Sequence, residues 1–408
     1  MNEIIFFGSN QNPKLFKNEP DKITKPIQFK FENENENENE KQIKQISTAD
    51  FSTIFLFKNG KAIEYLSEKY LNENPEKIQI EENIQKVTVG YRNEAILTIE
   101  GNVFAKGVAI NPYNPNEFIN ISSLIEDTND RIIEDIVSGY ISIYLLTSNQ
   151  NVYGIGSNEL GQLRNSSYHV FLLNSNQELF GCGWNQDGQL GLGESRKYEQ
   201  IQKLTQIQNI PKGEIIDIQC GYYHSLMLIE NENQNPKRKL YSCGYSKYNG
   251  FGKRFQNTYE FTEIKSSLFE NDNILEVSCG DNHTLILTSK GKFIGFGSNS
   301  YGQLGTGNRK YQKIPIQIEL PKLRFNENIS NYHISCGENN SFIYYSPSFS
   351  NLEEDLIKLF RRKEFCNISF KTKNGEIIEA HKLILKYRLN QNENQNEKLQ
   401  RNYFKKIN

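Results

Sequence analysis

The sequence predicts an all-β fold, a seven-bladed β-propeller over residues 1–348. Three observations carry that expectation. Two kinds of short motif alternate along this stretch. The step from one kind to the other is nearly constant. The chain opens on one half of a motif pair, and the array ends on the other half. A fixed repeat of this length marks an array of equal structural units.

One motif reads Cys279-Gly280-Asp281-Asn282-His283-Thr284-Leu285-Ile286-Leu287. The other reads Phe293-Ile294-Gly295-Phe296-Gly297-Ser298-Asn299, followed by Tyr301-Gly302-Gln303-Leu304-Gly305. The marker of the first kind falls at Ala49, Gly90, Gly139, Ser166, Gly221, Gly280 and Gly337. The marker of the second kind falls at Gly8, Leu66, Gly107, Gly156, Gly183, Gly244 and Gly297. A step of 17 residues separates Ala49 from Leu66, Gly90 from Gly107, Gly139 from Gly156, Ser166 from Gly183, and Gly280 from Gly297. From Gly221 to Gly244 it is 23, and the extra residues lie in the polar stretch 230–239. Loops accept insertions and paired strands do not, so the unit is a hairpin.

Apolar residues at a spacing of two, as at Ile216 and Ile218 or Leu226 and Leu228, predict strands with one core face and one polar face. Gly-x-Gly in a strand lets a neighbouring backbone approach closely. A small sheet cannot bury both faces alone, and packing several around an axis solves that problem. The N-terminal Ile5-Phe6-Phe7-Gly8-Ser9-Asn10 and the C-terminal Cys336-Gly337-Glu338-Asn339-Asn340-Ser341-Phe342 are complementary halves of one blade. Their pairing closes the ring and removes exposed edges. Only 10 residues separate Gly156 from Ser166, too few for an outer strand, a crossing and an inner strand, so one blade near 156–170 is expected to lack about two strands.

The same register weakens the catalytic look of many residues. Cys220, Cys279 and Cys336 share one repeat position, and Cys182 and Cys243 another. Rotation about the ring axis is expected to spread them apart as buried small hydrophobes of a reducing compartment. His169, His224 and His283 share a third position, where each is expected to hydrogen-bond a neighbouring strand or blade rather than converge on zinc. His333 is off-register. No Gly-x-Gly forms a phosphate-binding motif at a strand–helix junction. No catalytic, metal or cofactor site is therefore expected. The structural positions are Gly8, Gly90, Gly107, Gly139, Gly156, Gly183, Gly221, His224, Gly244, Gly280, His283, Gly297 and Gly337. Trp184 is either packing or an exposed anchor.

The motifs Cys-Gly-x-x-His-Ser/Thr-Leu-x-Leu and Gly-x-Gly-x-Asn-x-x-Gly-Gln-Leu-Gly resemble the regulator of chromosome condensation repeat. The best copies lie at 179–193, 220–244 and 279–307, and the likeness is weak before residue 130. That family is a seven-bladed propeller of four-stranded blades, as the count above requires. A second resemblance covers residues 349–389. Glu354-Asp355-Leu356-Ile357-Lys358-Leu359-Phe360, Asn367-Ile368-Ser369-Phe370, Gly375 and Ala380-His381-Lys382 look like the start of a BTB/POZ domain, with a helix and a hairpin before the Ala-His-Lys helix. The expected addition is a small α+β fragment, too short to bury a comfortable core.

Net charge is −2, so nothing global favours nucleic acid. No apolar run reaches the ~18 residues of a membrane span, and no charged-then-apolar leader opens the chain. Basic clusters at Lys237-Arg238-Lys239 and Arg361-Arg362-Lys363 read as a solvated loop and a helix end. The Glu-Asn run at 32–40 and the tail 390–408 are expected to be disordered.

The resemblances imply a non-enzymatic scaffold or adaptor, cytoplasmic or nuclear; the BTB-like piece lies in the region that family uses to dimerise but is short, so a monomer is expected. Protein partners would bind on a propeller face, a ubiquitin-ligase component among them. The alternative is a guanine-nucleotide exchange factor for a small GTPase. An exchange factor works by displacing nucleotide from its partner and needs no covalent chemistry.

Overall fold

The computed structural model describes residues 4–346, apart from 11–18, 30, 32–41, 50, 67–75, 128–131, 140–141, 157–168, 197–198, 234–235, 246–256 and 322–327, together with strand residues 368–371 and 377–380. The chain divides into two units, Met1–Pro347 and Ser348–Asn408.

Strands β1 (Ile4–Ser9) and β2 (Lys22–Gln28) open the first unit. The first blade follows as β3 (Ile43–Thr48), β4 (Ser52–Phe57), β5 (Ala62–Leu66) and β6 (Glu76–Lys77). The second is β7 (Ile84–Val89), β8 (Asn93–Thr98), β9 (Val103–Gly107) and β10 (Ile119–Asn120). The third is β11 (Ile133–Ser138), β12 (Ser142–Thr147) and β13 (Val152–Gly156), and the fourth is β14 (His169–Leu173), β15 (Leu179–Trp184) and β16 (Gln200–Gln206). The fifth is β17 (Glu214–Cys220), β18 (His224–Glu230), β19 (Arg238–Gly244) and β20 (Thr258–Glu263). The sixth is β21 (Ile274–Cys279), β22 (His283–Thr288), β23 (Phe293–Gly297) and β24 (Gln312–Gln317). The closing blade joins β25 (Tyr332–Cys336) and β26 (Asn340–Tyr345) to β1 and β2.

These seven sheets make a seven-bladed propeller, and β1 lies antiparallel to β26 from Ile4↔Tyr344 to Gly8↔Asn340. The closure is also aromatic. Phe6 meets Phe342 edge-on at 5.0 Å between centroids, Phe342 meets Phe55 at 5.7 Å, and Phe55 stacks on Phe29 at 5.1 Å.

The sequence placed the strand deficit in one blade. The structure divides it: among the described residues the third blade has three strands and lacks an outer one, while the fourth has three and lacks an inner one.

One register rule holds in every blade. The residue three places after the first marker position faces the second marker across the ladder. The seven pairs are Ser52↔Leu66, Asn93↔Gly107, Ser142↔Gly156, His169↔Gly183, His224↔Gly244, His283↔Gly297 and Asn340↔Gly8. The constant 17-residue step is this register.

The one-sided alternation expected of the strands does not hold for the second strand of most blades. β4, β8 and β22 are buried along their whole length. Blades pack on both sides of each such strand, so both faces become core. Apolar clusters accordingly bridge blades; Leu226 and Leu228 of the fifth pack with Val277 and Phe296 of the sixth.

The second unit shows one hairpin, β27 (Ile368–Lys371) with β28 (Ile377–Ala380). Ala380 ends a strand, whereas the sequence placed it in the Ala-His-Lys helix; a BTB/POZ domain is not shown. His381 and Lys382 lie outside the described residues, as do the run 32–40, the segment 354–360, Ser166 and the tail 390–408.

Candidate functional site: a polar belt and a charged pocket between blades

The shared histidines lie at blade-to-blade junctions. His169 Nε2 is 2.6 Å from Ser225 Oγ, His224 Nε2 is 3.1 Å from Thr284 Oγ1, and His283 Nε2 is 2.8 Å from Ser341 Oγ. Each ring reaches the hydroxyl beside the next blade's own histidine position. Ser225 Oγ donates to the Gln189 carbonyl at 2.6 Å, and Ser341 Oγ to the Gln303 carbonyl at 2.8 Å. Each hydroxyl has one proton to give, so His169 and His283 must donate from Nε2. Desolvation pushes His169 and His283 down to about 3 and His224 to about 4, so all three are neutral at physiological pH.

The glycines fit this arrangement. At Gly280 an added Cβ would lie 2.2 Å from His283 Cε1, and at Gly221 2.3 Å from His224 Cε1. At Gly221 and Gly280 the first marker is glycine because the histidine ring takes the room, and Ala49 stands where Ser52 replaces histidine. Gly297 has φ +102°, and its Cβ would lie 2.4 Å from the Asn282 carbonyl oxygen. Gly8, Gly107, Gly183 and Gly244 also have positive φ, while Leu66 does not. Gly90 and Gly337 approach the next blade: a Cβ at Gly90 would strike the Gly139 carbonyl, and one at Gly337 would lie 3.1 Å from the Thr48 side chain. Gly156 ends β13.

The Asn-x-x-Gly-Gln-Leu-Gly segment is a self-bonded loop. Asn299 Oδ1 accepts from Leu304 N at 2.9 Å while its amide donates to the Asn308 carbonyl, and Asn185 repeats the pattern with Leu190 N and the Arg196 carbonyl. Leu190 and Leu304 are driven into the core.

Hydroxyls and amides at the inner edges were not singled out in the sequence. Val89 N donates to Ser47 Oγ at 3.0 Å, Ser138 N to Thr88 Oγ1 at 2.9 Å, and Cys336 N to Ser278 Oγ at 3.0 Å. Gln45 exchanges both hydrogen bonds with the backbone of Val87. These contacts satisfy sheet edges that would otherwise be open. The signal was available, since Ser47, Thr88 and Ser278 all stand two residues before the first marker. His333, off-register as expected, pairs with Glu276 at 3.1 Å.

The cysteines correct one expectation. Cys182 and Cys243 are buried, but Cys220 is exposed and Cys279 and Cys336 are half-buried. Burial pushes the Cys336 thiol up to about 12, so it is protonated. Among the described residues no group of His, Cys, Asp and Glu is arranged to hold a metal ion. Trp184 is half-buried at the end of β15.

Between the first and second blades the repeat chemistry is replaced. Glu94 stands where Ser225, Thr284 and Ser341 stand elsewhere, and Lys106 opposite it takes the place of Cys243, Phe296 and Phe7. Lys106 Nζ contacts Glu64 Oε1 at 2.7 Å and Oε2 at 2.6 Å, and Glu94 Oε2 at 3.4 Å. All three side chains are at least nine-tenths buried. Burial and the Glu94 charge raise the Glu64 carboxyl well above the usual range, against the pull of Lys106. Glu94 and Lys106, but not Glu64, line a cavity of about 130 Å³, with Phe51, Tyr91 and Arg92 among its other lining residues.

The fold and this geometry define a seven-bladed propeller whose blades are joined by a repeating polar belt. The Regulator of chromosome condensation (RCC1) repeat matches residues 176–228, 274–303 and 290–344, and those segments carry it. Human HERC6, a probable E3 ubiquitin-protein ligase, is 30% identical over 152 residues, 36% of this chain and 14% of that protein. The ultraviolet-B receptor UVR8 of Arabidopsis thaliana is 31% identical over 120 residues, 29% of this chain and 24% of the receptor. The chain thus spans under a quarter of the length of these relatives. Among solved structures, Prp20p of Saccharomyces cerevisiae, described with its binding to Gsp1p and histones, superposes with a TM-score of 0.70 at 16% identity, covering 87% of this chain and 94% of that one. Human WBSCR16 gives 0.66 at 15% identity, covering 86% and 100%. At these identities the likeness establishes the fold.

Proposed function

We propose that this chain is a non-enzymatic protein-interaction scaffold, a monomer of the cytoplasm or nucleus that presents partners on a propeller face. One observation carries the reading. The residues with the look of chemistry, His169, His224 and His283, are neutral, buried and committed to neighbouring blades. The recurrent groups are thereby absorbed by architecture, and the loops and turns are left to vary. Propeller relatives named as probable ubiquitin ligases support an adaptor role, and the β27–β28 hairpin falls where the BTB-like motif predicts one. Affinity purification with the full chain tests the proposal. It predicts retention of a defined protein partner, and failure to retain any would contradict it. Light scattering at micromolar concentration should give a monomer.

A second reading, nucleotide exchange on a small GTPase, is favoured by one specific finding, the superposition on Prp20p, which binds Gsp1p. A nucleotide-release assay with Gsp1p-like GTPases separates the two. Clear acceleration by the purified chain would replace the scaffold reading.

A further inference from the structure

We propose that the outer edge of the third blade docks one extended strand of a protein partner, with isoleucine or a similar apolar residue at its anchor position. This rests on the scaffold reading and gives it a place and a chemistry.

The other six blades show what this edge is built to hold. In each, an apolar residue just past the outer strand donates its N–H to the carbonyl of the residue four places before the second marker. Phe29 donates to Ile4 at 2.8 Å, Ile78 to Ala62 at 3.1 Å and Ile121 to Val103 at 2.9 Å. Ile207, Ile264 and Ile318 donate to Leu179, Leu240 and Phe293 at 2.8 Å each. All six acceptor residues are buried. The third blade has Val152 at this place, and Val152 is 43% exposed. Among the described residues its sheet ends at β13. Pairing with β12 turns the N–H and C=O groups of Val152 and Gly154 outward, to that open edge.

Gly154 carries the same sign. Its equivalents in the fourth and sixth blades, Gly181 and Gly295, are buried, while Gly154 is exposed. A Cβ at Gly181 would lie 3.3 Å from Ile207 Cδ1, and one at Gly295 would lie 3.1 Å from Ile318 Cδ1. In those blades the anchor isoleucine covers the glycine.

The next stretch of this chain cannot supply the anchor. In the other blades the anchor stands 12 to 24 positions after the second marker, from Leu66 to Ile78 at the shortest and Gly183 to Ile207 at the longest. Twelve positions after Gly156 is Tyr168, and His169 already pairs with Gly183 in the fourth blade. A second copy of β13 would not serve either, because Ser157, not an apolar residue, follows its last residue, Gly156. An open edge beside an apolar residue is the template on which an extended peptide adds as a further strand.

The probe is a synthetic peptide copying residues 200–208, the fourth blade's outer strand with its anchor Ile207, added to the full chain. Hydrogen exchange followed by NMR should find the Val152 and Gly154 amides unprotected in the free chain and protected by the peptide, with a Kd of about 0.1 mM. A peptide N-methylated at Ile207 keeps the side chain but loses the donor, and should bind about tenfold more weakly. An Ile207→Asn peptide should lose at least about as much. Val152→Lys in the full chain puts a charge on the edge and should abolish binding, with the melting temperature unchanged because the side chain is exposed. Amides already protected in the free chain, no added protection with peptide, equal binding of the N-methylated peptide, or binding unchanged by V152K would each overturn the proposal. A dimer that V152K dissociates in light scattering would assign the edge to a second copy and overturn it too. V152K should also weaken a partner retained by the wild-type chain. Retention unchanged by V152K removes this dock and leaves the scaffold reading standing, whereas no retained partner removes the scaffold reading.

Discussion

The first two blades and the last three complete ones share a fold and a register but not a chemistry. In the fifth, sixth and closing blades, the junctions use neutral groups: a histidine or asparagine, a hydroxyl and a glycine. At the first–second junction Glu94 takes the hydroxyl position and is joined by Glu64 and Lys106, and the marker glycines of the first blade are replaced by Ala49 and Leu66. The ladder Ser52↔Leu66 nonetheless matches His283↔Gly297. A propeller therefore keeps its geometry through strand register and apolar burial. The polar positions of a junction can then be exchanged for a different set that satisfies itself.

The largest way to break this comparison is at the markers. Gly297→Leu forces a side chain into positive φ and against the Asn282 carbonyl, and should cost about 4 kcal/mol in chemical denaturation. Leu66→Gly, at the same position of the first blade, should cost about 1 kcal/mol. Equal effects would mean the two blades do not differ as described. Lys106→Met leaves two buried carboxylates without their cation, with an expected loss of about 3 kcal/mol at neutral pH. Replacing all three charges by apolar residues of similar volume should recover most of it.

Ser341→Ala removes the acceptor of His283 Nε2–H and should cost about 2 kcal/mol. The smallest difference is in acid. The three histidines have folded values depressed to about 3–4, below the unfolded 6.5. Their contribution is fully present above 6.5 and is lost as pH falls from there toward the folded values, each by about 1.4 kcal/mol per pH unit. His283→Asn, the residue the closing blade uses at Asn340, should make that slope shallower by one proton. An unchanged slope would contradict the buried neutral state.

Much of the fold was legible in the sequence because register is written as spacing. The 17-residue step is a pairing distance, and the split pair at Gly8 and Asn340 gave the closure. What the sequence missed depends on distances between blades. Alternation in Leu226 and Leu228 reads as one-sided burial, and only a neighbour on each side makes both faces core. Cys220, Cys279 and Cys336 share a position, but only the packing of neighbouring blades decides that the first ends exposed and the other two half-buried. Glu64 and Lys106 are 42 residues apart, and neither stands out in a chain with 96 Asp, Glu, Lys and Arg residues. Only their places in the register, opposite Ile54 and Glu94, bring them to one junction.

The central claim is that the repeated histidines are neutral joints between blades. A nitrogen-15 NMR pH titration of the imidazoles tests it most directly. His169 and His283 should appear as the Nε2–H tautomer, and all three belt histidines should stay uncharged as the pH falls through 6.5 until the protein unfolds. A belt histidine that gains a proton near 6.5 in the folded chain would contradict the account.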